Sequence, residues 1–231
     1  MADLVPHRLS PLHRRHISLG AQMVSEYGWQ RPSRYTSAQE EGEEIASAAG
    51  LCDISPVGKL LVQGSEMPGV LMRALGVTKI PDTGRVTRQP GVGLLCRLAA
   101  NQVLLFVPPR DADEVRSAFD AHQEGCVHVV DMTSGLTGLC LAGPRSQDVL
   151  SKLTDLDLSQ PDAGDMTCAQ TSLSGVQATV VRADLRSMSC YRIFVSRDLG
   201  EYAWDVLTEA GSREGLQPFG VETFRVLRGE A

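Results

Sequence analysis

Two stretches of the chain share one pattern of apolar and polar positions. Each begins with an apolar strand, at residues 58–64 and at residues 136–142, and a glycine ends the strand in both cases. Apolar residues at three- and four-residue spacing follow, and this spacing predicts an amphipathic helix. The matching pairs at an offset of 79 residues are Leu60 with Leu139, Val70 with Val149, and Leu71 with Leu150.

Both stretches then continue in the same broad order. Two strand-like runs around a short turn predict a hairpin at residues 93–107 and another at residues 166–181. A further strand and a helix follow in each. The pattern predicts an α+β fold with two pseudo-repeated βαββαβ-like units, 58–131 and 136–231, packed as one domain over 58–231. Chance similarity of two strand-turn-helix units is the alternative.

The first 57 residues are predicted to form a separate helical and irregular segment. A short helix over residues 16–26 precedes an irregular stretch that is rich in aromatic residues. Ser37 with Glu40 three residues later has the pattern of a capping box. We therefore predict a helix from Ser37 through Ala49, with Gly50 as its C-terminal stop.

Composition narrows the class of protein. Of the 231 residues, 42% are apolar and 22% are charged, as in an ordinary globular protein. The formal net charge of −6 gives no basic field for nucleic acid. No apolar run approaches the roughly 18–20 residues of a membrane span. Residues 1–6 contain an acid and no apolar core, so we expect no signal peptide and no membrane partner.

Cysteines and sequence motifs add little chemistry. The six cysteines form no C-x-x-C pair and no zinc-ligand spacing, so we predict no metal site. Buried free thiols in a reducing cytoplasm explain them best. The chain contains no G-x-G-x-x-G, P-loop, H-E-x-x-H or G-x-S-x-G motif. Periodicity alone therefore names no reaction and no catalytic residue.

An ordered series of short blocks carries a family resemblance. The series reads Ser10-Pro-Leu-His13, Leu19-Gly-Ala-Gln-Met23, Gly28-Trp29-Gln-Arg-Pro32, Ala48-Ala-Gly50-Leu-Cys-Asp53-Ile-Ser55-Pro-Val-Gly58-Lys59, Leu141-Ala-Gly143-Pro144 and a final segment from Phe219 to Ala231. It resembles the glycine cleavage T-protein (aminomethyltransferase) family. It also resembles the folate-binding half of sarcosine oxidase and dimethylglycine dehydrogenase.

This resemblance implies a fold and a function. The fold would be the two-unit α+β folate-binding domain of the T-protein. The function would be a tetrahydrofolate-dependent one-carbon transfer, of an aminomethyl or methyl group, with the folate in a central channel. Acidic residues in the family pair with the N–H groups of the pterin.

The chain departs from the family pattern at the positions that carry chemistry. The family has an acidic pair where this chain reads Pro90-Gly-Val92-Gly93-Leu-Leu. The family's pterin-binding Glu corresponds to Arg192, a tyrosine of the same signature corresponds to Leu185, and a Met that packs on folate corresponds to Val57. Since the sequence ends at Ala231, we expect the chain to lack the family's C-terminal barrel.

Three arginines are the candidate ligand-binding residues. Arg182 is kept from the family signature, Arg192 replaces its Glu, and Arg228 matches the Arg of its final segment. Such cations would make a surviving channel electropositive and suited to a folate or a small anionic molecule. The alternative is that each pairs with a nearby acid, such as Asp184 or Glu222.

Three functional hypotheses remain. The first is a tetrahydrofolate-dependent transferase or demethylase. The second is a non-catalytic accessory subunit of a multi-subunit amine oxidase or sarcosine oxidase, since Tyr191-Arg192-Ile193 resembles the small gamma subunit of heterotetrameric sarcosine oxidase. The third is a binding domain for another ligand in the same channel.

Overall fold

The computed structural model describes residues 8–122, 126–158 and 164–229. The expectations for residues 1–6 and for the last two positions of the chain lie outside these ranges. The helices of the described part are α1 (His13–Ser18), α2 (Ala38–Ser47), α3 (Met67–Leu75), α4 (Ala112–Asp120), α5 (Ser146–Leu150), α6 (Gly200–Gly211) and α7 (Val221–Arg228). Within the described ranges, no helix is both long enough and apolar enough to cross a membrane.

Fourteen strands are described, and they form three sheets. In chain order they are β1 (Arg8–Leu9), β2 (Gln22–Glu26), β3 (Trp29–Arg34), β4 (Ala49–Asp53), β5 (Gly58–Gly64), β6 (Val86–Gln89), β7 (Gly93–Ala99), β8 (Gln102–Val107), β9 (Val127–Asp131), β10 (Leu136–Ala142), β11 (Thr167–Leu173), β12 (Val176–Arg182), β13 (Cys190–Ser196) and β14 (Leu216–Pro218). The sheet orders are β1-β3-β2, β6-β7-β8-β5-β9 and β11-β12-β13-β10-β4-β14.

The two large sheets pack face to face, with helices on their outer sides. Successive side chains of a strand point to opposite faces, so each central strand serves two cores. On the outer side of the five-stranded sheet, Leu60 and Val62 pack with α3 and α4. On the outer side of the six-stranded sheet, Leu139 and Leu141 pack with α5 and α6. The core between the sheets includes Leu94, Leu104, Phe106, Phe194, Phe219 and Phe224.

The predicted internal repeat is confirmed by strand order and register. Strand β5 lies between β8 and β9, and β10 lies between β13 and β4. Leu60 pairs with Leu105, and Leu139 pairs with Ile193 in the equivalent place. The aromatic rings of Phe106 and Phe194, which the registers make equivalent, stack with centroids 4.1 Å apart.

The sheets also meet at their edges in a symmetric way. Arg85 and Thr167 are equivalent positions beside β6 and at the start of β11, and they pair with each other. Val86 N donates to Met166 O and Cys168 N donates to Gly84 O, both at 2.9 Å. A local two-fold axis therefore relates the two units.

The N-terminal segment differs from its prediction in three places. The aromatic-rich stretch expected to be irregular forms β3. The helix expected over residues 16–26 is α1 followed by β2, because Gly20 adopts a left-handed conformation (φ +80°) that ends the helix. Ser37 does cap α2, accepting from Glu40 N at 3.2 Å. Gly50, however, is not a helix stop but lies inside β4, where a Cβ would overlap the side chains of Ile45 and Phe219.

Five of the six cysteines are buried free thiols, and Cys126 is exposed. Cys52, Cys96, Cys140, Cys168 and Cys190 all belong to the core between the sheets. The Sγ atoms of Cys140 and Cys190 lie 3.3 Å apart. These side chains act as small apolar residues in the packing.

Candidate ligand-binding site

A cavity of about 120 Å³ opens beside the core between the two large sheets. We call it the inter-sheet cavity. Its cationic lining residues are Arg31, Arg88, Arg110, Arg192, Arg225 and Arg228. Its apolar lining residues include Ile54, Val57, Leu94, Phe106 and Phe224. Among the described residues, no Asp, Glu, His or Cys lines it.

Arg192 reaches this cavity from the inner face of β13 and is 7% exposed. Its register partners are Cys140 on β10 and Val181 on β12, so it stands in the middle of the six-stranded sheet. Its Nη1 donates to the carbonyl oxygen of Ala183 at 2.6 Å. In the described part of the chain, no carboxylate lies within 4 Å of its guanidinium.

Helix α7 brings two more of the arginines. Arg228 places its guanidinium carbon 5.7 Å from the ring centroid of Phe224. Arg225 donates to Glu26 on β2 at 2.6 Å. The structure therefore brings Arg192 and Arg228, two of the three predicted residues, to the same cavity.

Arg182, the third predicted residue, lies elsewhere. It lines a separate cavity of about 440 Å³ together with Tyr191, over whose ring its guanidinium carbon sits at 5.5 Å. Its Nε also contacts Asp184 at 3.2 Å. Burial is the largest single effect and lowers its pKa, but the hydrogen bond to Asp184 together with the charges of Tyr191, Asp184 and Asp165 raises the pKa overall. For Arg182 the interpretation as an ion pair with a nearby acid is the one that the geometry supports.

Arg31 is a cavity residue that the sequence did not single out. It lies on β3 and is 6% exposed, and its Nε has no hydrogen-bond partner among the described residues. Burial lowers its pKa from the ordinary arginine value, and the nearby Asp53 and Glu26 oppose that effect. In the sequence, Arg31 stands between Trp29 and Pro32 in an aromatic-rich stretch, which is a weak indication of a buried position. No local pattern predicts that its side chain lies near β13.

Three of the departures from the family pattern lie at this cavity, whereas Leu185 is not part of its lining. Val57 and Gly93 both line it, as does Arg192. Gly93 has φ +132°, and a Cβ there would overlap the carbonyl oxygen of Phe106. The cavity can therefore hold negative charge on a ligand, but its described lining offers no carboxylate, imidazole or thiol for proton transfer.

Comparisons with known proteins agree with this architecture. A family model described as "GCVT N-terminal domain" matches residues 12–231. The aminomethyltransferase of Geobacillus sp. (strain WCH70) is 28% identical, covering 96% of this chain and 64% of the relative. The chain thus spans less than two thirds of the length of the curated aminomethyltransferases it matches.

Two solved structures share the fold. Aminomethyltransferase T of the glycine cleavage system from Bartonella henselae superposes with a TM-score of 0.78 at 20% identity, covering 96% of this chain and 62% of that one. A chain of heterotetrameric sarcosine oxidase from Corynebacterium sp. U-96, in complex with pyrrole 2-carboxylate, gives a TM-score of 0.66 at 22% identity, covering 90% of this chain and 96% of that one.

Proposed function

Since this chain belongs to the GCVT N-terminal domain family, we propose that it serves a tetrahydrofolate-dependent one-carbon transfer as a non-catalytic accessory subunit. In this role the inter-sheet cavity binds an anionic part of tetrahydrofolate or another small anionic molecule. A partner subunit supplies the acid–base chemistry. The buried free thiols are compatible with a reducing compartment such as the cytoplasm.

The lining of the inter-sheet cavity is the observation that carries this proposal. One-carbon transfer from an amine needs a group that accepts and returns a proton near neutral pH. Arginine stays protonated and does not serve as that group. The described lining contains six arginines and no carboxylate, and Gly93 leaves no room for a side chain beside Phe106.

Similarity to multi-subunit oxidases supports the accessory role. The Corynebacterium sarcosine oxidase is described as heterotetrameric, and one of its chains has this fold over nearly its whole length. We propose by analogy that the chain docks on a partner, which the fold alone does not identify.

A self-sufficient transferase is the second candidate. The observation in its favour is the match to aminomethyltransferases over 96% of the chain. The two candidates differ in what the purified chain does alone. The transferase turns over an aminomethyl donor with tetrahydrofolate, whereas the accessory subunit does not.

The test measures turnover by the purified chain. We expect aminomethyl or methyl transfer to be at least about 100-fold slower than in the positive control, because one missing general acid–base group removes about 10²–10⁴-fold in rate. The Geobacillus aminomethyltransferase serves as the positive control in the same assay. Turnover by the chain alone that matches this control would overturn the proposal.

A further inference from the structure

Arg31 and Arg192 are two buried cations that face the same cavity. Arg31 is 6% exposed and Arg192 is 7% exposed. A buried guanidinium is stable when its N–H groups and its charge are matched by acceptors. Arg192 has one such acceptor, the carbonyl oxygen of Ala183, while the Nε of Arg31 has none among the described residues.

The carboxylates nearest to Arg31 are engaged by other groups. Asp53 accepts from His16 Nε2 at 3.0 Å and from Ser55 N at 2.8 Å. Glu26 accepts from Arg225 at 2.6 Å. Within the described ranges, neither acid comes within 4 Å of Arg31 as an ion pair. The charge of Arg31 therefore points to an acceptor from outside the chain.

We propose that the inter-sheet cavity is a binding site for a compact oxyanion, a carboxylate or a phosphate group, held jointly by Arg31 and Arg192. Arginine matches such groups well because its planar N–H groups pair with two oxygens at once. This inference rests on the proposed function, since it names the ligand class for the same cavity.

The size of the cavity agrees with a compact ligand. Its volume of about 120 Å³ is smaller than the roughly 300–1,000 Å³ of pockets that enclose a drug-sized ligand. Phe106, Phe224 and Ile54 give it an apolar wall, which suits a short hydrocarbon portion next to the anionic group.

The experiment is calorimetric titration at constant ionic strength, with glutarate and inorganic phosphate as probes and chloride as the background salt. We expect one anion to bind per chain. Glutarate and phosphate distinguish a carboxylate from a phosphate source of the same chemistry. Arg31→Met and Arg192→Met should each weaken binding roughly 10- to 150-fold, the range expected for a charged hydrogen bond.

Arg145→Met is the matched control. Arg145 is an exposed arginine outside the cavity that pairs with Asp148, so its replacement should change the dissociation constant less than threefold. Absence of binding by the wild-type chain would overturn the inference. Binding that is unchanged in both Arg31→Met and Arg192→Met would overturn it as well.

Thermal unfolding separates ligand binding from a merely structural role of Arg31. In chloride buffer, Arg31→Met should keep or raise the Tm, since it removes a buried donor without a partner. It should also abolish the rise in Tm that the bound anion gives the wild type. If Arg31→Met has a lower Tm than the wild type but the anion raises the Tm of both proteins equally, Arg31 only supports the fold.

The outcomes for the two proposals are distinguishable. Anion binding with the expected arginine dependence, together with turnover by the chain alone, refutes the accessory role and upholds the oxyanion site. Tetrahydrofolate binding without turnover, and without any binding of glutarate or phosphate, upholds the accessory role and refutes the oxyanion site.

Discussion

Glu41 holds α7 in the position from which α7 lines the inter-sheet cavity. It stands in the first turn of α2 and is 2% exposed. Its Oε1 accepts from Tyr35 N at 2.6 Å and from Thr36 N at 3.3 Å. Its Oε2 accepts from Gly220 N at 3.0 Å and from the Thr223 hydroxyl. One carboxylate thus fastens the N-terminal ends of two helices together.

Replacing Glu41 should cost a large part of the stability. Glu41→Ala leaves four donors without an acceptor, and each hydrogen bond to a charged group contributes about 1.5–3 kcal/mol. Because such terms are not additive and the loop ends can reach water, we expect a loss of about 3–5 kcal/mol. Glu41→Gln keeps one oxygen but turns an amide N–H₂ toward donors, so we expect about 2–3 kcal/mol.

Urea unfolding of the wild type and of both variants measures this loss, with Glu44→Ala as the control. Glu44 is exposed on the same helix, and its replacement should stay within about 0.5 kcal/mol. For a chain of this size, 3–5 kcal/mol corresponds to a fall in Tm of about 6–20 °C. If Glu41→Ala falls within 1 kcal/mol of Glu44→Ala, the reasoning that one carboxylate couples the two helices is wrong.

Three further predictions concern charge and space in the core. Burial raises the pKa of Asp53, but the hydrogen bond and charge of His16 together with hydrogen bonds from Ser10 and Ser55 outweigh burial and lower the pKa to about 2. The free energy of unfolding of the wild type should therefore fall by about 2 kcal/mol between pH 5 and pH 2, and that of Asp53→Asn should not. Burial lowers the pKa of Lys59 to about 7. Between pH 7 and pH 9 the unfolded chain therefore holds one proton more than the folded chain. Urea unfolding should show the free energy of unfolding of the wild type rising by about 1.4 kcal/mol per pH unit relative to Lys59→Met over this range. Gly93→Ala should lower stability by at least about 2 kcal/mol in urea unfolding, because its Cβ would overlap the carbonyl oxygen of Phe106; a neutral result would show that β7 shifts easily there.

The repeat could be predicted from the sequence because the spacing of apolar residues within each unit indicates its strands and helices. The strand at Leu60 and the strand at Leu139 are both apolar runs that end at a glycine and precede a helix with matching apolar spacing, and the structure gives them equivalent neighbours. Gly50 shows the limit of local signals. A glycine after a helix and a glycine in a crowded strand look alike in sequence, and only the packing of Ile45 and Phe219 distinguishes them.

The candidate site was predictable only in part. Strand alternation already separates Arg192 from Arg182, since Arg182 pairs with Tyr191, which faces away from Arg192. Arg31 reaches the same cavity from β3, about 160 positions earlier in the chain, and no local period relates it to β13. Contacts of that separation arise from the tertiary fold, so sequence patterns alone do not contain them.

The local two-fold axis has a consequence for how charge can be distributed. In a symmetric homodimer every residue near the axis occurs twice, so a buried arginine would face its own copy and repel it. Here the two halves are one covalent chain, and the registers place Leu104 where the other unit has Arg192. A fused repeat can therefore keep the packing of a symmetric pair while one half supplies hydrocarbon and the other supplies a single cation.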